Sequence, residues 1–189
     1  MPMPVRITPT ELEGVLVVQT GVARDNRGFF SETYSKEMFE KAGFSQTFVQ
    51  DNLSESKQGT LRGLHYQLEP KGMGKLVRVI RGAVFDVAVD LRRGSPSFGK
   101  WVGRTLSAEN GLCLWVPVGF AHGFQALADE TLVLYKCTAI HAPEAERALN
   151  YADPAVGIAW PEPTSVVTEK DAQAPFLEGA EYNFHYSRS

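Results

Sequence analysis

Hydrophobic positions along the chain fall into short runs separated by clusters of Gly, Pro, Asn and Asp, a rhythm that predicts strands rather than helices. Residues 14–20 predict a first strand, Asp25-Asn26-Arg27-Gly28 a turn, and residues 29–34 a strand that carries Glu32. Ser35 can cap a short helix over residues 36–41, stopped by Gly43. Residues 48–52 predict another strand, in which Gln50 and Asn52 share a face. The strand signal then strengthens. Residues 76–80 and 83–89 are two β-rich runs, and Arg81-Gly82 separates them as a tight hairpin would. Further strands are predicted at 100–106, 112–116, 123–128 and 131–139, with breakers at 108–111, 117–119 and 129–130. From Ala142 onward prolines are frequent and the chain reads mostly as loop, with a short helix over 142–149. Many short strands at this spacing predict an all-β sandwich or barrel with short peripheral helices.

Composition narrows this picture. At 189 residues the chain fits one domain, residues 1–189, with enough length for a sizeable core. Hydrophobic residues at 43% and charged residues at 22% describe an ordered globular protein. The net charge of −3 provides no basic field for nucleic acid, so any bound anion needs a local cluster. No apolar run reaches the ~20 residues of a membrane span. Residues 1–14 lack the apolar core of a signal peptide, so a cytoplasmic location is expected. Cys113 and Cys137 lie in apolar strand-like runs without CxxC spacing and predict buried free thiols.

The stretch Thr60-Leu61-Arg62-Gly63-Leu64-His65-Tyr66-Gln67 holds the first candidate chemistry. His65 can move a proton near neutral pH, and Arg62 can grip a phosphate or carboxylate with a bidentate fork. His65 and His122 also suit a metal, but Gln67 stands two positions after His65, and His-x-His, HExxH and CxxC are all missing, which favours a metal-free site. His122 has a plain structural reading as a core histidine satisfied by Asp86, an aspartate that needs compensation in so apolar a strand. There is no G-x-S-x-G elbow and no phosphate-binding glycine loop; Gly72-Met73-Gly74-Lys75 lacks the Walker spacing. What remains is a scatter of polar residues in or beside strands: Arg27, Glu32, Gln50, Asn52, Lys75, Tyr135, Glu146, Lys170 and Asp171 beside the three above. Taken singly, each is an ordinary surface or capping residue. These features alone support a metal-free β-barrel with a polar pocket.

The ordered set of motifs says more. Asp25-Asn26-Arg27-Gly28-Phe29-Phe30-Ser31-Glu32, Val49-Gln50-Asp51-Asn52, Leu61-Arg62-Gly63-Leu64-His65-Tyr66-Gln67 and Gly74-Lys75-Leu76-Val77-Arg78 come first. Residues 84–90, 93–99, 115–117, 119–124, 134–136 and 165–171 follow in the same order. Across about 21–171 the chain resembles the dTDP-4-dehydrorhamnose 3,5-epimerases of the cupin superfamily. The resemblance implies a cupin jelly roll, a homodimer, no metal or other cofactor, and a dTDP-linked 4-keto-6-deoxy sugar as substrate. It implies His65 as general base, Asp171 as its orienting partner, Tyr135 as the acid on the opposite face, and Lys75 at the C4 oxygen. It places Arg27, Glu32, Gln50, Asn52, Arg62, His122, Glu146 and Lys170 around the nucleotide and sugar. Where the family often stacks an aromatic ring on thymine, this chain reads Ala139-Ile140-His141, leaving His141 as the stacking candidate.

The implied chemistry suits these residue types. A C4 ketone acidifies the protons on C3 and C5, and removing one yields an enolate whose oxygen needs a preorganised positive partner. Inversion needs a second proton carrier on the other face. Three alternatives remain open at this level: inversion at C3 alone, a metal-dependent cupin, and a sugar-nucleotide binder without catalysis.

Overall fold

The apolar run 83–90 is buried on both sides, which fixes how the sheets lie. Val84 and Ala88 enter one hydrophobic cluster, while Val87 and Val89 enter another behind it. A strand covered on both faces reads as continuously apolar instead of alternating. The computed structural model describes residues 4–187. In chain order the strands are β1 (Val5–Pro9), β2 (Leu16–Thr20), β3 (Ala23–Asp25), β4 (Gly28–Phe30), β5 (Gln50–Ser56), β6 (Leu61–Gln67) and β7 (Lys75–Arg81). They continue with β8 (Ala83–Asp90), β9 (Trp101–Ser107), β10 (Leu112–Val116), β11 (Phe120–Ala126), β12 (Thr131–Cys137) and β13 (Glu146–Ala148). The helices are α1 (Lys36–Lys41) and α2 (Glu169–Ala172). No helix among the described residues is long and apolar enough to cross a membrane.

Two antiparallel sheets form a jelly-roll sandwich. One runs β1-β2-β10-β7-β12-β5 and the other β13-β6-β11-β8-β9, with β3-β4 as a separate ribbon. Val77, Val79, Leu114, Val116 and Val133 of the first sheet meet Val84, Ala88, Val102, Leu106, Phe120 and Phe124 of the second. The outer face of the first sheet is covered by α1 and its flanks, with Phe39 and Phe44 on Leu76, Cys113 and Trp115. The outer face of the second is covered by the C-terminal segment, including Val156 and Phe184. Cys113 and Cys137 are both buried free thiols. Burial raises the pKa of each, keeping them in the unreactive protonated form.

Three local expectations are corrected. Arg81-Gly82 does not close a hairpin: β7 and β8 belong to opposite sheets, and Gly82, at φ +76°, carries the chain across the edge of the sandwich. A Cβ there would lie 2.3 Å from Thr131 Oγ1, so the crossing needs glycine. Residues 142–149 do not form a helix, because residues 146–148 pair with β6 as β13 and satisfy what would otherwise be an open sheet edge. The strand expected over 29–34 ends at Phe30, where Ser31 Oγ donates to the Gly21 carbonyl (2.9 Å) and draws the chain out of the ribbon.

One irregularity positions everything below. Between β6 and β11, His65 pairs with His122 but Arg62 pairs with Phe124. Two residues, Gly63 and Leu64, therefore oppose Gly123 alone, a β-bulge. In a regular strand, positions three apart face opposite ways. The bulge turns both Arg62 and His65 toward the interior. Gly63 has φ +122°, and a Cβ on it would lie 2.5 Å from Gly123 Cα. A Cβ on Gly123 would lie 2.7 Å from the Arg62 carbonyl oxygen. Gly123→Ala is expected to destabilise the fold by about 1–3 kcal/mol, as overpacking does. An unchanged midpoint in chemical denaturation would show that β6 and β11 separate without cost.

Candidate active site

Polar side chains on the inner faces gather along one margin of the sandwich. On the first sheet, β5, β12 and β7 are neighbours, with Asn52 opposite Tyr135, Ser54 opposite Val133, and Cys137 between Gln50 and Lys75. On the second, β13, β6 and β11 are neighbours, with Glu146 opposite Gln67 and His65 opposite His122. The period of two then points Gln50, Asn52, Ser54, Lys75, Tyr135, His65, Gln67, His122 and Glu146 into the gap between sheets. The gap is a cavity with two lobes of about 310 and 280 Å³ that share His65, Lys75 and Tyr135. Gln50, Asn52, Gln67, Met73, His141 and Glu146 line the first lobe. Ser54, Arg62, His122, Phe124, Lys170 and Asp171 line the second.

His65 is oriented from behind. Its Nε2 lies 2.6 Å from Asp171 Oδ1, while Asp171 Oδ2 accepts the Gly63 N–H at 3.2 Å. A carboxylate only accepts, so Nε2 carries the hydrogen and Nδ1 is left as the basic nitrogen. Asp171 is buried within α2, a four-residue helix whose N-cap, Thr168, accepts the Asp171 N–H. The Asn150 amide donates to the Ala172 and Ala174 carbonyls at the other end of α2. Burial pushes the Asp171 carboxyl upward, but His65, Gly63 and Thr168 outweigh it and hold the group below the usual carboxylate range.

A second histidine–carboxylate pair sits across β11. His122 Nε2 lies 2.8 Å from Asp86 Oδ1, and Asp86 is fully buried. Burial lowers the His122 pKa against the pull of Asp86, so the imidazole is held neutral. Lys75, only 9% exposed, sends Nζ to the His65 carbonyl at 3.5 Å. Burial lowers its pKa, while Cys137, Asp86 and Glu146 support the charge. Burial raises the Tyr135 pKa, so this phenol holds its proton at neutral pH. Among the described residues, no three His, Cys, Asp or Glu side chains form a cluster suited to a metal ion.

Charges surround the mouth. Arg62 is braced by Ser56 Oγ (3.0 Å) and the Glu55 carbonyl (2.9 Å), which aims its guanidinium along the cavity. Lys170 Nζ bonds Glu146 Oε2 at 2.5 Å, and His141 Nε2 stands 3.6 Å from the other oxygen of Glu146. Burial would raise the Glu146 pKa, but Lys170 brings it below the usual range. The His141 backbone N–H is held by Gln50 Oε1 at 3.0 Å.

The cavity thus brings together Gln50, Asn52, Arg62, His65, Lys75, His122, Tyr135, His141, Glu146, Lys170 and Asp171. Arg27 and Glu32 are not in its lining. Arg27 sits at the tip of the β3–β4 ribbon, its side chain 85% exposed and paired with Asp25. Glu32 is half-buried in the irregular segment after β4. Six lining residues were not among the site candidates: Ser54, Tyr66, Gln67, Met73, Phe124 and Thr168. Ser54 was within reach, since it continues the Gln50, Asn52 face of β5. Its Oγ is buried without a hydrogen-bond partner among the described residues.

A family model described as dTDP-4-dehydrorhamnose 3,5-epimerase matches residues 9–179. A protein of that name from Shigella flexneri is 48% identical over 177 residues, covering 93% of this chain and 98% of its own. Two solved structures are similar throughout. One is the Legionella pneumophila dTDP-6-deoxy-D-glucose-3,5-epimerase in complex with dTDP-4-keto-L-rhamnose (TM-score 0.88, 45% identity, covering 93% of this chain and 94% of that one). The other is a 3'-monoepimerase from Streptomyces bikiniensis in complex with dTDP-quinovose (TM-score 0.84, 35% identity, covering 90% and 87%).

The depressed Asp171 carboxyl sets a pH dependence. A group lowered on folding stabilises above its unfolded pKa, about 3.9 for aspartate, and that contribution is lost as pH falls through the folded value. Thermal unfolding of the wild type should therefore fall more steeply below about pH 4 than that of Asp171→Asn. Parallel curves for the two proteins would contradict the geometry.

Proposed function

The chain belongs to the dTDP-4-dehydrorhamnose 3,5-epimerase family, and from that premise we propose that it inverts C3 and C5 of dTDP-4-dehydro-6-deoxy-D-glucose to give dTDP-4-dehydro-L-rhamnose. The observation that carries the site assignment is the Asp171–His65 pair opening on the same cavity as Lys75 and Tyr135. His65 Nδ1 takes the proton from the carbon beside the ketone, and the C–H electron pair moves to the C4 oxygen. Asp171 stabilises the imidazolium. Lys75 Nζ stabilises the enolate oxygen in a site shielded from water. Tyr135 then returns a proton to the opposite face, and its phenolate recovers one as His65 gives one up. The cycle needs no external oxidant or reductant. His122, held neutral by burial, is suited to donate to a substrate oxygen without adding a competing charge. Arg62 and Lys170 bind the diphosphate, Gln50, Asn52 and Glu146 the nucleoside and sugar, and His141 stacks on the base.

We further propose a single-domain subunit that acts in the cytoplasm as a homodimer. The ribbon supports the dimer: Phe29 and Phe30 are 65% and 66% exposed, beside an Arg27 that its own cavity does not contain. A second copy packed on the ribbon covers both rings and receives Arg27 and Glu32 at its own substrate site. The buried free thiols support a reducing compartment.

The deciding experiment is turnover in deuterium oxide, read by carbon position. Deuterium at both C3 and C5 is expected; label at C3 alone would make the protein a 3-epimerase, and none at either carbon would remove the assignment. His65→Ala should slow exchange by about 10²–10⁴-fold while dTDP still binds. Tyr135→Phe should keep exchange at the base-facing proton but lose inverted product, an outcome that equal loss of both would refute. Light scattering should give twice the chain mass, and Arg27→Ala should raise KM more than it lowers kcat.

A further inference from the structure

The second lobe of the cavity contains one purely hydrocarbon side chain, Phe124. Every other group in its lining carries a hydroxyl, a carboxylate or a basic nitrogen: Ser54, Arg62, His65, Lys75, His122 and Tyr135 are among them. Phe124 belongs to the core between the sheets and is 3% exposed, so its ring is held from below by packed neighbours such as Val79 and Val133. It points inward beside His122 on β11, with ring centroids 6.5 Å apart, and is paired across the bulge with Arg62. The ring is thus a rigid apolar patch where the core breaks through into a polar site.

The substrate chemistry has a matching singularity. A 4-keto-6-deoxyhexose on a diphosphate presents oxygen at C1, C2, C3 and C4, and its one apolar substituent is the methyl on C5. A methyl lodged among Arg62, Lys75 and His122 would desolvate charges and gain nothing, whereas a methyl against Phe124 removes two apolar surfaces from water. We propose that Phe124 is a specificity-determining residue that receives the C5 methyl, so that the site selects 6-deoxy sugar nucleotides over those with a C6 hydroxyl. The proposal rests on the epimerase reading above. A hydroxyl at C6 would meet a ring with no hydrogen-bonding capacity, and three charged groups of the lobe already have partners: Arg62 with Ser56 and Glu55, Lys170 with Glu146, Asp171 with His65.

The test compares dTDP-6-deoxy-D-glucose (dTDP-quinovose), dTDP-D-glucose and dTDP, titrated calorimetrically into the full chain. The two sugars differ only by the C6 hydroxyl, and neither has the C4 ketone, so neither turns over. The wild type should bind dTDP-quinovose about 10–100-fold more tightly than dTDP-D-glucose, the range expected for one small group in an apolar pocket. Phe124→Leu, which keeps the core apolar, should cut that ratio to about threefold or less while dTDP affinity is unchanged. Phe124→Tyr, which keeps the ring, should erase or reverse it. A wild-type ratio near one overturns the proposal whether or not the variants fold. A full wild-type ratio retained in both variants overturns it as well. Failure of the wild type to bind dTDP or to exchange deuterium would instead sink the epimerase reading; intact exchange with no methyl preference sinks only the role of Phe124.

Discussion

Gly63 and Gly123 approach so closely that neither position has room for a Cβ. That contact allows two residues of β6 to oppose one of β11, and the bulge settles which side chains face the interior. Without it, Arg62 and His65 would leave the strand on opposite faces, one toward the cavity and one toward the cluster under the C-terminal segment. The same Gly63 gives its N–H to Asp171, so the backbone device that aims His65 also holds the carboxylate behind it. A steric constraint between two glycines thus decides which side chains line the cavity.

The sandwich separates its two tasks in space. Val102 and Leu106 of β9 and Leu114 and Val116 of β10 are apolar and close-packed, whereas the margin formed by β5, β12, β6 and β13, joined by Lys75 of β7, is open and polar. Charge in that margin is costly to bury, and the structure answers with pairs: Asp171 with His65, Asp86 with His122, Glu146 with Lys170. The pairing also differentiates the groups. Asp171 is held ionised behind His65, His122 is held neutral, and the Tyr135 phenol is kept protonated by burial. One margin of the sandwich thereby holds an ionised carboxylate, a neutral imidazole and a protonated phenol around the same cavity.

Alternation and turn residues were enough to find most of the strands, because each long strand keeps its apolar residues toward packed neighbours. The exceptions share a cause. Arg81-Gly82 has the signature of a hairpin, yet the chain uses it to change sheets, since both flanking runs are buried on two faces and either pairing partner suits them. Residues 142–149 can read as helix, but the open edge of β6 offered hydrogen bonds that local propensity does not. For the site, the motif order pointed to the residues and the period of two explained Gln50 with Asn52. Ser54 lay on that same face, and Phe124 was indistinguishable from core until the cavity above it was visible.

What the sequence determined by itself is a class of structure and a set of reacting groups: short apolar strands, no span for a membrane, and motifs whose order matches one family. Those features are local in the chain, so they survive without coordinates. The tertiary structure decided which of the groups meet. Asp171 lies 106 positions from His65 and reaches it only because a four-residue helix is capped at Thr168 and tied at Asn150. Arg27 and Glu32, in the same run of motifs, stay outside the cavity: Arg27 is at the tip of a ribbon that stands apart from both sheets, and Glu32 lies in the irregular segment that follows it. The stretch around Arg62 and His65 became a single face only through the bulge opposite Gly123, since side-chain direction in a strand depends on register with a neighbour, and register is a property of the pair.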